Sequence, residues 1–221
     1  MTKKLSLLWN GFKGLVFPSA CWHCEEEGDP LCSSCKCLLE ILPPAEPLIT
    51  FEGQGPVLSL IRALKSGQAP KLAKGLGGYM ALQYLQNELP RPDFIVPVPQ
   101  SFYRCCQVGY NPSLLLAQQI GKILEVPVVP LLKRKWQLFR QMRVARDQRY
   151  LLSKTSFAWR KNTLIQSKTI LLVDDVIGTG ATLRACIQRL RERSPQRVIQ
   201  MAAVKECITG SLSDSYRINE L

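Results

Sequence analysis

The chain has 221 residues, enough for one domain of about 150 residues and a small appendage. Its net charge of +12 favours polyanionic partners, meaning nucleic acid, phosphate-rich ligands or an anionic membrane surface, without choosing between them. Because His23 is the one histidine and nothing around it suggests a catalytic pair, Ser-His and Cys-His catalysis are not indicated.

Residues 1–17 mix large apolar side chains with lysines. Asn10, Lys13 and two glycines interrupt the apolar run, which argues against a secretory signal, although the stretch 18–21 faintly resembles a lipoprotein cleavage site. The stretch is also too short and interrupted to span a membrane. We expect a short amphipathic helix that packs on its neighbour.

Two Cys-x-x-Cys pairs follow, seven residues apart. Their members are Cys21, Cys24, Cys32 and Cys35. Four thiolates at this spacing suit a structural zinc ion, and a disulfide framework is the alternative. His23 and Cys37 are spare candidates with poorer spacing. A closed four-thiolate site has no open position for catalysis, so its expected role is to hold a small fold together.

Pro43, Pro44 and Pro47 predict a linker, which divides the chain into a module at 1–44 and a domain at 45–221. Helical spacing then predicts a helix at 57–65 and a second helix at 72–89. Lys65, at the end of the first of these helices, is interpreted as a solvated charge, with contact to a phosphate as the alternative.

The rest of the domain alternates strands and helices. Strands are predicted at 93–99, 126–132, 169–173 and 197–204, and helices at 113–124 and from 183 onward. This order implies a parallel α/β sheet, on which ligands bind at the carboxyl ends of the strands. Pro99 and Asp174 both fall at that edge. The loop at 100–111 is therefore a candidate pyrophosphate clamp, with Arg104 as its cation and Ser101 as a further ligand.

The segment from Lys133 to Lys161 holds ten basic residues and one acid, Asp147, interleaved with aromatic residues. Candidate nucleic-acid contacts are Lys133, Arg134, Lys135, Arg140, Arg143, Arg146 and Arg149. Such a composition suits single-stranded nucleic acid, through phosphate pairing and base stacking. The alternative is a loop that closes over an anionic substrate, with its aromatic residues in the core.

The most informative stretch runs from Thr169 to Leu183. A buried strand ends in Asp174 and Asp175, and a Gly-Thr-Gly-Ala-Thr turn (Gly178, Thr179, Gly180, Ala181 and Thr182) leads into a helix. A helix N-terminus with glycines before it suits a phosphate, and the carboxylates can accept hydrogen bonds from sugar hydroxyls. A plain tight turn needs no acidic pair. No P-loop motif occurs, and too little chain remains for a phospho-receiver domain.

This stretch resembles the signature of type I phosphoribosyltransferases, which bind 5-phosphoribosyl-1-pyrophosphate (PRPP). The resemblance implies that Asp174 and Asp175 contact the ribose hydroxyls, that the loop from Gly178 to Thr182 holds the 5-phosphate, and that Mg²⁺ arrives on the pyrophosphate.

The complete layout resembles the ComF family of competence-associated, phosphoribosyltransferase-like proteins. Its Arg-Gly-Phe-Asn-Gln motif corresponds here to residues 108–112, where Val108 replaces the arginine and Pro112 the glutamine, and Gly178 stands where a threonine is common. The resemblance implies a cytoplasmic protein that handles incoming single-stranded DNA alongside other competence proteins, with PRPP or a nucleotide as ligand. The alternative is a metabolic phosphoribosyltransferase whose acceptor the sequence does not identify.

Overall fold

The computed structural model describes residues 20–43, 45–135, 154–160 and 162–205. Its helices are α1 (Ser33–Cys37), α2 (Pro56–Lys65), α3 (Leu72–Gln86), α4 (Phe102–Val108), α5 (Pro112–Leu124) and α6 (Ala181–Arg191). Its strands are β1 (Leu48–Glu52), β2 (Phe94–Pro97), β3 (Leu132–Arg134), β4 (Phe157–Trp159), β5 (Thr169–Ile177) and β6 (Arg197–Lys205). The helix predicted at 1–17 lies outside the described residues.

Four strands form one parallel sheet in the order β1-β6-β5-β2. Beyond β2, Val128 adds a single parallel bridge to Ile95. Strands β3 and β4 form a separate antiparallel pair. The predicted parallel α/β architecture is therefore confirmed, with β5 and β6 at the centre of the sheet.

The central strand β5 is buried on both faces, as its apolar run predicts. Leu171 and Val173 pack with α2, α3 and α5 in one core, whereas Ile170 and Leu172 pack with α6 and the β3–β4 pair in another. The alternation follows from the pleat of a strand, which points successive side chains to opposite faces. Helices thus cover both sides of the sheet, and the carboxyl ends of β2 and β5 meet at one edge.

Two boundaries near this edge differ from the prediction. Strand β5 does not end before the acidic pair but continues to Ile177, because β6 runs beside it and pairs Val204 with Val176. The segment predicted as a loop at 100–111 contains α4. That helix begins where the Ser101 hydroxyl accepts from the Arg104 amide at 3.3 Å and ends at Gly109, whose φ is 84°.

The strand predicted at 126–132 is mostly irregular. Only Val128 bridges to β2, and β3 begins at Leu132. Pro127 and Pro130 lie in this segment, and proline has no N–H to donate to a ladder. Helix α3 also ends earlier than predicted, at Gln86.

The region before β1 is tied to the edge of the sheet. The Leu42 amide donates to the Thr50 carbonyl at 2.9 Å. The buried Gln83 side chain accepts from the Thr50 hydroxyl at 3.0 Å and donates to the carbonyls of Leu42 and Ile49 at 3.0 and 2.8 Å. Further partly buried contacts to the same core come from Leu31, Leu39 and Ile41. The division at residue 44 stays a prediction.

Candidate functional site

Asp174 lies buried at the carboxyl edge of the sheet. Only 7% of the residue is exposed, and its Oδ1 accepts two hydrogen bonds. The Ser113 hydroxyl donates at 3.0 Å and the Asp175 amide at 2.9 Å. Ser113 is itself buried at the start of α5, where the Asn111 side chain caps its amide at 3.1 Å. Both of these donors fall on the same oxygen, Oδ1.

The pKa of Asp174 lies well above its ordinary value of 3.8. Burial is the largest cause, followed by the negative charge of Asp175 and by a hydrogen bond with that side chain. The Asp175 amide and the Ser113 hydroxyl act in the opposite direction. The ionised form of Asp174 is therefore disfavoured in the unliganded protein, and a bound cation or hydroxyl donor would favour it.

Asp175 is held in a different way. Its Oδ1 accepts from the Val176 amide at 2.9 Å, and its Oδ2 faces the Lys65 ammonium at 3.8 Å. Lys65 is thus not a purely solvated charge at the end of α2, since it lies beside the acidic pair. The sequence favoured a solvated charge, with a phosphate contact as the alternative, and gave no sign of this ion pair, because no local pattern brings α2 to the end of β5.

The turn from Gly178 to Thr182 leads directly into α6. Gly180 is the residue before the helix and has a left-handed φ of 73°, whereas Gly178 is not among the described glycines with positive φ. The Thr179 hydroxyl accepts from the Ala181 amide at 3.4 Å. A Cβ added at Gly180 would lie 3.0 Å from Nη1 of Arg184. The loop therefore has a guanidinium beside it, which the sequence analysis missed although Arg184 lies one helical turn beyond the glycine.

The first loop reaches the same edge. The Val98 amide donates to the Val173 carbonyl at 2.8 Å, so the chain that leaves β2 runs beside the acidic strand. Ser101 and Arg104 follow in the first turn of α4, where the serine hydroxyl serves as the helix cap. The parallel pairing of β2 and β5 thus brings the loop after β2 and the acidic pair on β5 to the same carboxyl edge of the sheet.

The basic candidates are placed only in part. Lys133 and Lys135 are exposed, whereas Arg134 on β3 is partly buried. Burial lowers the pKa of the Arg134 guanidinium, and the nearby Cys186 and Asp174 side chains act in the opposite direction. Arg134 therefore adds positive potential near the acidic pair. The other four candidates, Arg140, Arg143, Arg146 and Arg149, lie outside the described residues.

The four cysteines of the N-terminal region come together as predicted. The sulfur atoms of Cys21, Cys24, Cys32 and Cys35 all lie within 4.8 Å of one another, which can accommodate a metal ion. All but Cys24 are buried, and Cys32 caps α1 by accepting from the Cys35 amide at 3.5 Å. Cys37 is not in the cluster, and His23 instead contacts the Ser59 hydroxyl of α2 at 3.2 Å.

The thiols of this cluster differ in acidity. Burial opposes ionisation of Cys21, but amide hydrogen bonds from Cys24, Cys32 and His23 outweigh it and lower its pKa to about 6. Burial and the neighbouring thiols raise the pKa of Cys35 far above its ordinary value. Four close thiols cannot all ionise without a cation, and a tetrahedral arrangement of four sulfur ligands is the arrangement that zinc prefers.

No helix within the described ranges is long and apolar enough to cross a membrane.

Comparison with known proteins agrees with this architecture. Residues 111–217 match the model of the phosphoribosyl transferase domain, which covers α5 through the end of β6. Competence protein F of Haemophilus influenzae is 34% identical over 115 residues, which are 51% of this chain and 50% of that protein. The chain thus spans about half the length of that relative.

A longer match exists with the DNA utilization protein YhgH of Escherichia coli K12. The two are 30% identical over 182 residues, which are 76% of this chain and 77% of that protein. A purine phosphoribosyltransferase of Pyrococcus horikoshii superimposes with a TM-score of 0.40 at 16% identity, over 59% of this chain and 70% of that one. With its phosphoribosyl transferase domain and its relatives over most of the chain, this protein belongs to the ComF family.

Proposed function

We propose that the protein binds PRPP with Mg²⁺ at the carboxyl edge of its sheet. The observation that carries the proposal is the buried Asp174, which lies beside Asp175 at the end of the strand that leads into the phosphate loop. Asp174 would accept from one ribose hydroxyl, and Asp175 would accept from the neighbouring hydroxyl. The amides at the N-terminus of α6 suit the 5-phosphate.

Cations around the acidic pair suit the pyrophosphate of the same ligand. Lys65 faces Asp175, Arg184 lies beside the loop, and Arg104 follows the first strand end. Magnesium would enter with the pyrophosphate, because oxygen ligands of phosphate groups are those that it prefers. These groups bind and orient the ligand rather than supply a nucleophile.

Calorimetric titration of PRPP and Mg²⁺ into the zinc-loaded protein tests the proposal. We expect saturable binding in the native chain, and its loss in the variant Asp174→Asn/Asp175→Asn. The matched control is Asp93→Asn, because Asp93 lies at the opposite edge of the same sheet and pairs with Lys168 at 2.9 Å. Absence of binding in the folded native protein would show that the signature is retained only as a scaffold.

We further propose that the protein handles incoming single-stranded DNA in the cytoplasm, alongside other competence proteins. Support comes from the names of its relatives, which refer to competence and DNA utilization, and from the net charge of +12. The basic segment that begins at Lys133 would pair with phosphates. Affinity for an unstructured oligonucleotide should then fall linearly with salt in log–log form. No measurable affinity at low salt would refute this role.

A metabolic phosphoribosyltransferase is the alternative. There an acceptor lone pair would form a bond to the anomeric carbon of PRPP, and the electron pair of the breaking C–O bond would leave with pyrophosphate. Arg104 and Lys65 would offset the charge that develops on the leaving group. Release of pyrophosphate that depends on an added acceptor base would favour this reading.

We assign the four-cysteine cluster to structural zinc. The donor set is closed, since all four sulfur atoms come from the chain and three of the residues are buried. His23 links this module to α2, which ends at Lys65 beside the acidic pair. The metal would therefore stabilise the fold next to the ligand site without taking part in the chemistry.

A further inference from the structure

Helix α4 is unusual because none of its seven residues is buried. It is held instead by its flanks. Ser101 caps one end, Gly109 closes the other, and the Tyr110 hydroxyl donates to the Leu64 carbonyl at 2.6 Å. A short amphipathic helix ordinarily gains its stability by packing an apolar face. The described contacts at both ends of α4 thus help to fix its position.

Two aromatic side chains on this helix face solvent. Phe102 is 63% exposed and Tyr103 is 67% exposed, which makes them the most exposed large aromatic residues within the described ranges. The Tyr103 hydroxyl accepts from the Gln107 amide nitrogen at 2.9 Å, one helical turn later. This contact orients the ring while leaving its faces accessible. We call Phe102 and Tyr103 the aromatic shelf.

Helix α4, which carries the aromatic shelf, lies between two segments that reach the proposed PRPP site. Helix α4 begins four residues after Val98, whose amide pairs with the acidic strand. It ends against Gly67, where an added Cβ would lie 3.0 Å from the Val108 carbonyl oxygen. Gly67 follows Lys65 by two residues, and Lys65 faces Asp175 at 3.8 Å. The two ends of α4 therefore adjoin two segments, the end of β2 and the end of α2, that each reach the acidic strand.

The charges of the segment that carries the shelf favour an anionic partner. Arg104 lies in the same turn as the two aromatic residues, and no acidic residue occurs from Phe94 through Leu124. A partner that combines planar aromatic faces with negative charge is an unpaired strand of nucleic acid. Aromatic side chains bind such strands by stacking on bases, which is tolerant of sequence.

We propose that the aromatic shelf of Phe102 and Tyr103, on a helix between two segments that reach the proposed PRPP site, stacks unpaired bases of single-stranded DNA. The inference rests on the proposed DNA-handling function, and it places a base contact on described residues outside the basic segment. The stacked bases would lead the strand past Arg104, and the phosphates would remain available to the basic segment.

The test uses the zinc-loaded, full-length protein and fluorescence anisotropy of a labelled oligothymidylate. The variant Phe102→Leu/Tyr103→Leu removes the ring faces and keeps apolar side chains that favour a helix. We expect its affinity to fall about 10-fold or more, as for the loss of one stacked base. Because no phosphate contact is lost, the salt slope should not change. Phe102→Trp/Tyr103→Phe keeps the ring faces and should bind as the native chain does.

The remaining outcomes separate the two proposals. If the native chain binds the oligonucleotide and the leucine variant binds it equally well, the proposed stacking on the shelf is overturned and the DNA-handling function is not. No binding by the native chain overturns both. Two outcomes would show that the shelf serves the small-ligand site and would overturn its assignment to DNA. One is a loss of PRPP affinity in the leucine variant. The other is displacement of the oligonucleotide by thymidine monophosphate at equal nucleotide concentration. Leu82→Gln, which changes an exposed apolar residue on α3, should leave every readout unchanged.

Discussion

Replacing Asp174 by Asn should stabilise the unliganded protein while removing its ligand. The pKa of Asp174 is raised by burial and by Asp175, so the ionised side chain is unfavourable in the folded state. An asparagine keeps the carbonyl oxygen that accepts from Ser113 and from the Asp175 amide. Its NH₂ group can donate to Asp175, as a protonated carboxyl would. The substitution removes a buried charge and keeps the hydrogen bonds.

We expect the free energy of unfolding to rise by about 1–2 kcal/mol, the usual gain from relieving a functional strain. In a chain of this length this corresponds to roughly 2–8 °C in Tm. The effect should depend on pH. A raised carboxyl pKa gives stability that is complete below the unfolded value of 3.8 and is lost as pH rises through the folded pKa. The gain in unfolding free energy from Asp174→Asn should therefore be largest at about pH 8 and should become smaller toward about pH 5.

Differential scanning fluorimetry across this pH range measures the effect. Asp93→Asn is the control of opposite sign, because a hydrogen bond from Lys168 and the Thr169 amide hold the pKa of Asp93 below its ordinary value. Such a group contributes stability above its unfolded pKa and loses it as pH falls. Asp93→Asn should thus lower Tm near neutral pH. The reasoning is refuted if Asp174→Asn lowers Tm at pH 8, or if its effect does not change with pH.

Three further predictions concern other contacts. Ser113→Ala should weaken PRPP binding in calorimetry by roughly 10-fold and move the pH range of binding upward, because Asp174 loses a hydrogen bond to its charged form. Ser113→Thr keeps the hydroxyl and should retain affinity, and equal binding by the alanine variant would contradict this prediction. Atomic emission should find one zinc ion per chain, and removal of the metal by a chelator should lower Tm. The zinc should be lost in Cys35→Ser and kept in Cys37→Ser. Zinc retained by Cys35→Ser would refute the ligand set. Gly121→Ala should lower the free energy of unfolding, measured by chemical denaturation, by about 1–3 kcal/mol, because the new Cβ would lie 2.6 Å from the Val128 side chain. Gly78→Ala places its Cβ in open space and should be neutral or stabilising. Similar effects of the two substitutions would argue against the packing described.

Much of the site is encoded locally. The run from Thr169 to Thr182 specifies a buried strand, two carboxylates and a glycine turn before a helix, because strand burial and helix initiation depend on neighbouring residues. The two Cys-x-x-Cys pairs likewise predict a cluster, since each pair brings two sulfur atoms close within a short turn. Helix α4 is an exception, because its residues show no apolar period and its ends depend on two caps.

The sequence by itself determined the parallel α/β class, the acidic pair with its phosphate loop, and the four-cysteine set. Only the tertiary structure decided that Ser113, 61 residues away, donates to Asp174, and that Lys65 faces Asp175. Both contacts depend on the order β1-β6-β5-β2 and on the packing of α2 and α5 over one face. Periodicity and spacing report which element a residue joins, whereas the distance between elements follows from how their apolar faces pack together.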